Sequence, residues 1–97
     1  MSEYTVIRDA IQELGASVTE EQMQPEIFGS AYCVFEGTNH TSFRLVWDGK
    51  EGYGFLQSAK SAGLWQDVGP HVSGTSRSNS KFSELLSIAK GLLHSNA

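Results

Sequence analysis

The sequence predicts an α+β domain built as a two-layer sandwich, in which an antiparallel meander sheet carries both helices on one face. The expected element order is α-β-β-β-β-α. Three observations support this fold class: an apolar stripe with helical spacing near each end of the chain, a run of strict two-residue alternation, and turn-forming glycines between the central apolar runs. The 97 residues fit one domain, residues 1–97, that can bury a core without disulfides.

The first element is an amphipathic helix from about residue 3 to residue 14. Ser2 can cap its start and Gly15 can end it. Asp9 and Glu13 fall on the side of this helix that faces water. The apolar side recurs at steps of three and four residues: Tyr4, Ile7, Ile11 and Leu14.

The next segment, residues 16–26, reads as a loop with at most one helical turn. Thr19 and Gln22 have the spacing of a capping box, but Pro25 stops a helix from running on. The segment has no basic residue, so the acidity of the first helix extends into an exposed connection. Its acidic residues are Glu20, Glu21 and Glu26.

Four strands are expected in the centre of the chain. In the second of them, Phe43 and Leu45 point to one side, with Trp47, whereas Arg44 and Val46 point to the other side, toward solvent or a partner. Gly29 is expected to mark a bulge or a point of close approach in the first strand, and Gly-Pro at 69–70 confines the fourth strand to an edge. The strands are placed at residues 27–36, 41–48, 53–58 and 64–68, the last with a possible continuation to residue 72.

A loop is expected at residues 73–80, because this run is rich in serine, glycine, threonine and asparagine. A second amphipathic helix follows, with Ser80 as its N-cap. Its apolar stripe consists of Phe82, Leu85, Leu86, Ala89, Leu92 and Leu93.

Charge is distributed unevenly along the chain. Residues 1–36 contain seven acidic residues and one basic residue, Arg8, whereas the other 61 residues contain four acidic and six basic residues, for a net charge of −4. Such an asymmetry favours a basic protein as partner. The net negative charge and the lack of a lysine cluster speak against nucleic acid, and no apolar run is long enough to span a membrane.

Cys33 is the single cysteine of the chain and lies in an apolar run, where a buried, inert thiol is the expected state. An unpaired cysteine and the lack of a signal peptide favour the reducing cytoplasm. Pairing of Cys33 with His40, His71 or His94 is the one conceivable nucleophile and base. The spacing of these residues matches no catalytic or metal-binding signature, so no catalytic residue, metal or cofactor is expected.

The leading hypothesis is a small, acidic, non-catalytic protein-binding domain. In a bacterial setting this profile suits an immunity or antitoxin-type inhibitor of a basic protein. The predicted contact residues are Asp9, Glu13, Glu20, Glu21 and Glu26. Aromatic residues add a second candidate surface, because Tyr32, Tyr53 and Trp65 cannot all be assigned to the core and such residues are common at binding hot spots.

Two alternatives remain open. One is an acidic secretion or assembly chaperone that forms a homodimer through a sheet edge or the last helix. The other is a small enzyme or ligand-binding protein that uses Cys33, His71 and the serine-rich loop.

Overall fold

The computed structural model describes residues 2–37, 41–61, 63–74 and 79–94. The predicted turn at 37–40 and loop at 73–80 lie largely outside these ranges. The structure confirms the predicted α+β class: two helices flank a run of antiparallel strands that pair strictly in chain order. The elements are α1 (Glu3–Glu13), β1 (Ser17–Gln24), β2 (Ser30–Glu36), β3 (Ser42–Asp48), β4 (Tyr53–Ser61), β5 (Leu64–Val72) and α2 (Ser80–Leu93).

The sheet has five strands, because the segment expected to be a loop forms strand β1. It pairs with β2 from Ser17 opposite Glu36 to Gln24 opposite Ser30. A bulge between Val18 and Glu20 interrupts the register, so the sequence lacks the regular alternation that identifies a strand. Most β1 side chains are also exposed at this edge of the sheet, and backbone pairing with β2 defines the strand.

Strand β2 begins later than expected, at Ser30. The residues before it, 25–29, form a turn closed by hydrogen bonds from the Ile27 amide to Gln24 and from the Ser30 amide to Ile27. Gly29 has a φ of +76° within this turn, which explains the need for glycine there. Ile27 and Phe28 are therefore turn residues.

The helix ends differ from expectation at one position. Ser2 caps α1 as predicted, since its Oγ accepts a hydrogen bond from the Thr5 amide at 3.2 Å. The N-cap of α2 is Asn79, where Ser80 was expected. The Asn79 carboxamide oxygen accepts hydrogen bonds from the amides of Lys81 and Phe82. An N-cap side chain is the usual acceptor for such amides, because the first helical turn has no backbone acceptor for them.

Both helices pack on the same face of the sheet, as predicted. Alternate residues of the strands, among them Cys33 and Leu45, are fully buried against α1 and α2 in one core. Phe35 and Phe43 stack across β2 and β3 with ring centroids 5.3 Å apart. Strand β5 continues to Val72 as an edge, and neither helix in the described ranges is long and apolar enough to cross a membrane.

Candidate binding surface

Neither helix of the described residues packs on the second face of the sheet, which is called the open face. Alternation places on it the side chains that neighbour the buried ones: Tyr32 beside Cys33, Arg44 and Val46 beside Leu45, and Phe55 beside Leu56. The residues that define the open face are Glu20, Gln22, Tyr32, Val34, Arg44, Val46, Tyr53, Phe55, Gln57, Trp65, Asp67 and His71.

Arg44 occupies the centre of the open face. Its guanidinium carbon lies 4.5 Å from the centroid of the Trp65 ring and 5.8 Å from that of Tyr32, within the range of cation–π attraction. Its Nε–H donates to Gln57 Oε1 at 2.6 Å, and Gln57 Nε2–H in turn donates to Asp67 Oδ1 at 2.7 Å. These contacts follow the register of β3, β4 and β5 and hold Arg44 in a defined orientation.

No carboxylate forms an ion pair with Arg44 within the part of the chain that the structure describes. Arg8 provides the contrast, because its guanidinium contacts two carboxylates. Arg44 is half-buried, where a charged group usually has a partner of opposite sign. Among the described residues, two aromatic faces and one amide oxygen contact Arg44 in place of a carboxylate.

A second aromatic group lies where β4 and β5 pair. The Tyr53 and His71 rings are parallel, with centroids 4.3 Å apart, and Phe55 lies 5.1 Å from His71. Because the three rings restrict one another, they present a rigid surface at low cost in side-chain entropy.

The β1–β2 turn extends the open face with two exposed apolar residues. Ile27 is 48% exposed and Phe28 is 68% exposed. Phe28 has a φ of +55°, which is uncommon for a bulky residue. The turn packs against Gly49, where any Cβ would overlap the Phe28 carbonyl group, and the Gly49 amide donates to Ser30 Oγ at 3.0 Å.

A cleft of about 470 Å³ separates this turn from the strands of the open face. Its volume falls in the range of small-molecule sites. The cationic groups in its lining are Arg44 and Lys50, and Lys50 Nζ lies 5.8 Å from the Phe28 ring centroid. The apolar residues of the lining are Ile27, Phe28, Ala31, Tyr32, Val46, Trp47, Tyr53 and Phe55.

Asp48 also lines the cleft, but part of its charge stabilises the β3–β4 turn. Its Oδ1 accepts hydrogen bonds from the Lys50 and Glu51 amides at 3.1 and 3.0 Å. The lining therefore combines aromatic walls with two cations and one carboxylate that is already hydrogen-bonded.

The carboxylates predicted to form one contact surface lie on different sides of the molecule. Asp9 and Glu21 meet on the helix side, where Arg8 bridges them at 2.9 and 2.8 Å. The Tyr4 hydroxyl donates to Glu21 at 2.6 Å. The hydrogen bond from Arg8 lowers the pKa of Glu21 most, and the hydrogen bond from Tyr4 is the next largest cause of this shift.

Glu20 lies on the open face, opposite its sequence neighbour Glu21. The Tyr32 hydroxyl donates to the Glu20 carboxylate at 2.5 Å, and this hydrogen bond is the main cause of the raised pKa of Tyr32. Glu13 is exposed on α1, and Glu26 is exposed in the β1–β2 turn. The structure thus brings Asp9 and Glu21 together and separates them from Glu20.

Cys33 and the described histidines do not meet. Cys33 is fully buried on the helix side of the sheet, and burial raises its pKa to about 11. His71 lies on the open face and His94 is exposed at the end of α2, whereas His40 falls outside the described residues. Residues 2–37, 41–61, 63–74 and 79–94 include no group of three His, Cys, Asp or Glu arranged to hold a metal.

Sequence reasoning anticipated part of this surface. Tyr32, Tyr53 and Trp65 were expected to lie partly outside the core, and all three are half-buried on the open face. The sequence does not predict the exposed pair Ile27 and Phe28, because residues 27–36 are rich in aromatic and β-branched residues and so indicate a strand. Pro25 and Gly29, on either side of this pair, indicate a turn, since proline and glycine are common in turns.

Comparison with known proteins gives no relative: no family model matches the sequence, and no curated protein or solved structure matches it significantly.

Proposed function

We propose that the protein is a non-catalytic protein-binding domain whose contact surface is the open face together with the β1–β2 turn. The observation that carries this proposal is the concentration of Tyr32, Arg44, Tyr53 and Trp65 on the sheet face opposite the one that α1 and α2 cover. Tyrosine, tryptophan and arginine are the residue types that most often dominate binding energy at protein interfaces.

Rigidity supports this choice of surface. Association is costly when side chains must be ordered, by about 0.5–1.5 kcal/mol for each flexible one. Here Arg44 is held by Trp65 and Gln57, and Tyr53 is held by His71. Much of that cost is met when the chain folds, which leaves more of the contact energy for binding.

Charge favours a basic protein as the partner. The chain has a net charge of −4, and Glu20, Glu26 and Asp67 lie on or beside the open face. Such carboxylates accelerate encounter with a basic surface and select against acidic competitors. In this proposal the protein acts as an immunity or antitoxin-type inhibitor in the cytoplasm, where the buried thiol of Cys33 stays reduced.

Paired charge reversals test which surface is used. The wild-type protein is immobilised and exposed to lysate of its native host, and the partner that it retains is identified and purified. The rate of association between this partner and each variant is then measured at several salt concentrations. Glu20→Lys, on the open face, should slow association about tenfold at low salt and flatten its salt dependence. Glu13→Lys makes the same charge change on exposed α1 and should have a much smaller effect.

An apolar truncation tests the aromatic part independently. Trp65→Ala should weaken binding of the same partner by about 2 kcal/mol or more, mainly through faster dissociation. If Glu13→Lys slows association as much as Glu20→Lys, and folded Trp65→Ala binds normally, the open face is not the contact surface.

A further inference from the structure

We propose that the cleft between the β1–β2 turn and the open face is a binding site for an aromatic carboxylate. The ligand would place its ring against the aromatic wall and its carboxylate toward Arg44. This inference goes beyond the proposed function, because it depends neither on a basic partner nor on any effect of that partner.

The apolar part of the ligand follows from the walls. Phe28, Tyr32, Tyr53 and Phe55 line the cleft together with the aliphatic Ile27 and Val46. Aromatic side chains attract flat rings by offset or edge-to-face stacking in addition to the gain from apolar burial. The packing of the Phe28 backbone against Gly49 fixes the place of this residue in the lining of the cleft.

The carboxylate follows from the charges. Arg44 has one recorded hydrogen bond, from its Nε–H to Gln57, and no ion pair within the described residues. A guanidinium has five N–H donors arranged to fit a carboxylate through two parallel hydrogen bonds. The Nη donors of Arg44 are thus available at the wall of an apolar cleft, where a charge-assisted hydrogen bond is stronger than in water.

Lys50 adds a second positive charge to the lining. Among the described residues, Asp48 is the one carboxylate of that lining, and its Oδ1 already accepts hydrogen bonds from two backbone amides. The balance of charge in the cleft therefore favours an anion over a neutral or cationic ligand of the same shape.

This chemistry can come from two sources, a free aromatic acid or the terminal carboxylate of a polypeptide that ends in an aromatic residue. Both present a ring and a carboxylate a few bonds apart. The cleft recognises the shared part, and the experiment separates the sources.

The test is an NMR titration of the full chain, labelled with ¹⁵N, with small ligands. Binding is measured from the changes in chemical shift of the backbone amide signals. The probes are phenylpropanoate, phenylpropanamide and phenylpropylamine, which share one ring and differ in charge. Amides lining the cleft, such as those of Tyr32, Val46 and Phe55, should shift with the acid. We expect the acid to bind about tenfold more tightly than the amide, as one charge-assisted hydrogen bond implies.

Three variants assign that preference. Arg44→Met should make the acid and the amide bind alike, and Lys50→Met should reduce the preference about threefold. Lys90→Met removes a cation from exposed α2 and should leave the preference unchanged. If Arg44→Met does not keep the native amide spectrum, the exposed Lys50→Met and the three probes decide the result.

Equal binding of the acid and the amide would overturn the proposal, as would an undiminished acid preference in folded Arg44→Met or, failing that variant, in Lys50→Met. No shift of cleft amides up to the solubility limit of the acid would also overturn it. A peptide ending in phenylalanine, with a free or an amidated terminus, separates the sources. Binding of the free-terminus peptide about tenfold more tightly than phenylpropanoate identifies a polypeptide terminus, and equal binding identifies a free acid.

Discussion

Phe28 and Gly49 show how one residue fixes the position of another in this protein. Phe28 adopts a backbone conformation that costs a bulky residue free energy, of order 1–3 kcal/mol. It persists because its carbonyl group packs where Gly49 has no side chain and because Ser30 accepts a hydrogen bond from the Gly49 amide. These contacts fix the backbone of Phe28, and with it the point from which the exposed ring projects.

Gly49→Ala should destabilise the protein by about 1–3 kcal/mol, since the added methyl group overlaps the Phe28 carbonyl and lies 2.7 Å from its carbon. The measurement is the free energy of unfolding from a denaturant titration. Gly91→Ala is the matched control, because nothing lies within 4 Å of its added methyl group and alanine favours the helix. Equal stability of Gly49→Ala and the wild type would contradict the close packing of the two turns.

The Cys33 thiol should not react in the folded protein. It is fully buried, and burial raises its pKa to about 11, so the thiolate fraction at pH 7 is very small. Labelling with a chromogenic disulfide should follow the rate of unfolding and become fast in denaturant. Rapid stoichiometric labelling under native conditions would show that the thiol is accessible and would revive the enzyme hypothesis.

Glu21 should make stability depend on pH in the acidic range. Hydrogen bonds from Arg8 and Tyr4 lower its pKa in the folded state below its ordinary value of 4.5. Its contribution to stability is therefore present above the unfolded pKa and lost as the pH falls through the folded pKa. Glu21→Gln should be less stable than the wild type at pH 7, with a difference that shrinks below about pH 4.

Glu13→Gln is the control for that measurement, since Glu13 lies on exposed α1 outside the Arg8 cluster. A constant difference between Glu21→Gln and the wild type from pH 7 to pH 3 would mean that ionisation of Glu21 does not stabilise the fold.

At the scale of elements, α1 and β1 are linked by polar side chains at the edge of the sheet. The Tyr4 hydroxyl and Arg8 both reach Glu21 on β1. A strand at a sheet edge pairs on one side only, so such contacts add to its stability. The ring of Tyr4 thus packs in the core, and its hydroxyl donates a hydrogen bond to the edge strand β1.

Tyr4→Phe should cost about 1 kcal/mol, the usual net value of one hydrogen bond. It should also increase hydrogen exchange in β1 more than in β3. Tyr53→Phe removes a hydroxyl from the open face and serves as control, because no hydrogen bond of the Tyr53 hydroxyl is recorded among the described residues. Uniform changes in exchange across all strands would contradict a local role for the Tyr4 hydroxyl.

The elements that sequence predicted well are those with regular apolar periodicity. Both helices and β3 carry stripes that only one secondary structure can bury, so their type and buried face were correct. Strand β1 has eight residues, yet only Val18 among them packs on the core. The bulge in β1 places Val18 and Glu21, which are three positions apart, on the same side of the sheet. Its pairing is set by β2, which a local pattern does not encode.

The candidate surface shows the same limit. Composition indicated that some aromatic residues lie outside the core, but the stack of Arg44 on Trp65 depends on the register of β3, β4 and β5. The acidic residues illustrate the opposite case. They are close together in sequence, and strand alternation sends Glu20 and Glu21 to opposite faces.

At the scale of the whole molecule, the two faces of the sheet have different roles: one forms the core, and we propose the other as the binding surface. One face and the two helices form the core. The other face, with the β1–β2 turn, is the surface that we propose for the partner. Each role uses aromatic side chains, buried on one side and half-buried on the other.

The most direct test is to map the interface on the ¹⁵N-labelled protein in complex with its purified partner, by loss of amide signals on cross-saturation. We predict losses at the β1–β2 turn and along the open face, around Phe28, Tyr32, Phe55 and Trp65, with the exposed residues of α2 unaffected. Losses confined to α1 and α2, with the signals of the open face retained, would contradict it.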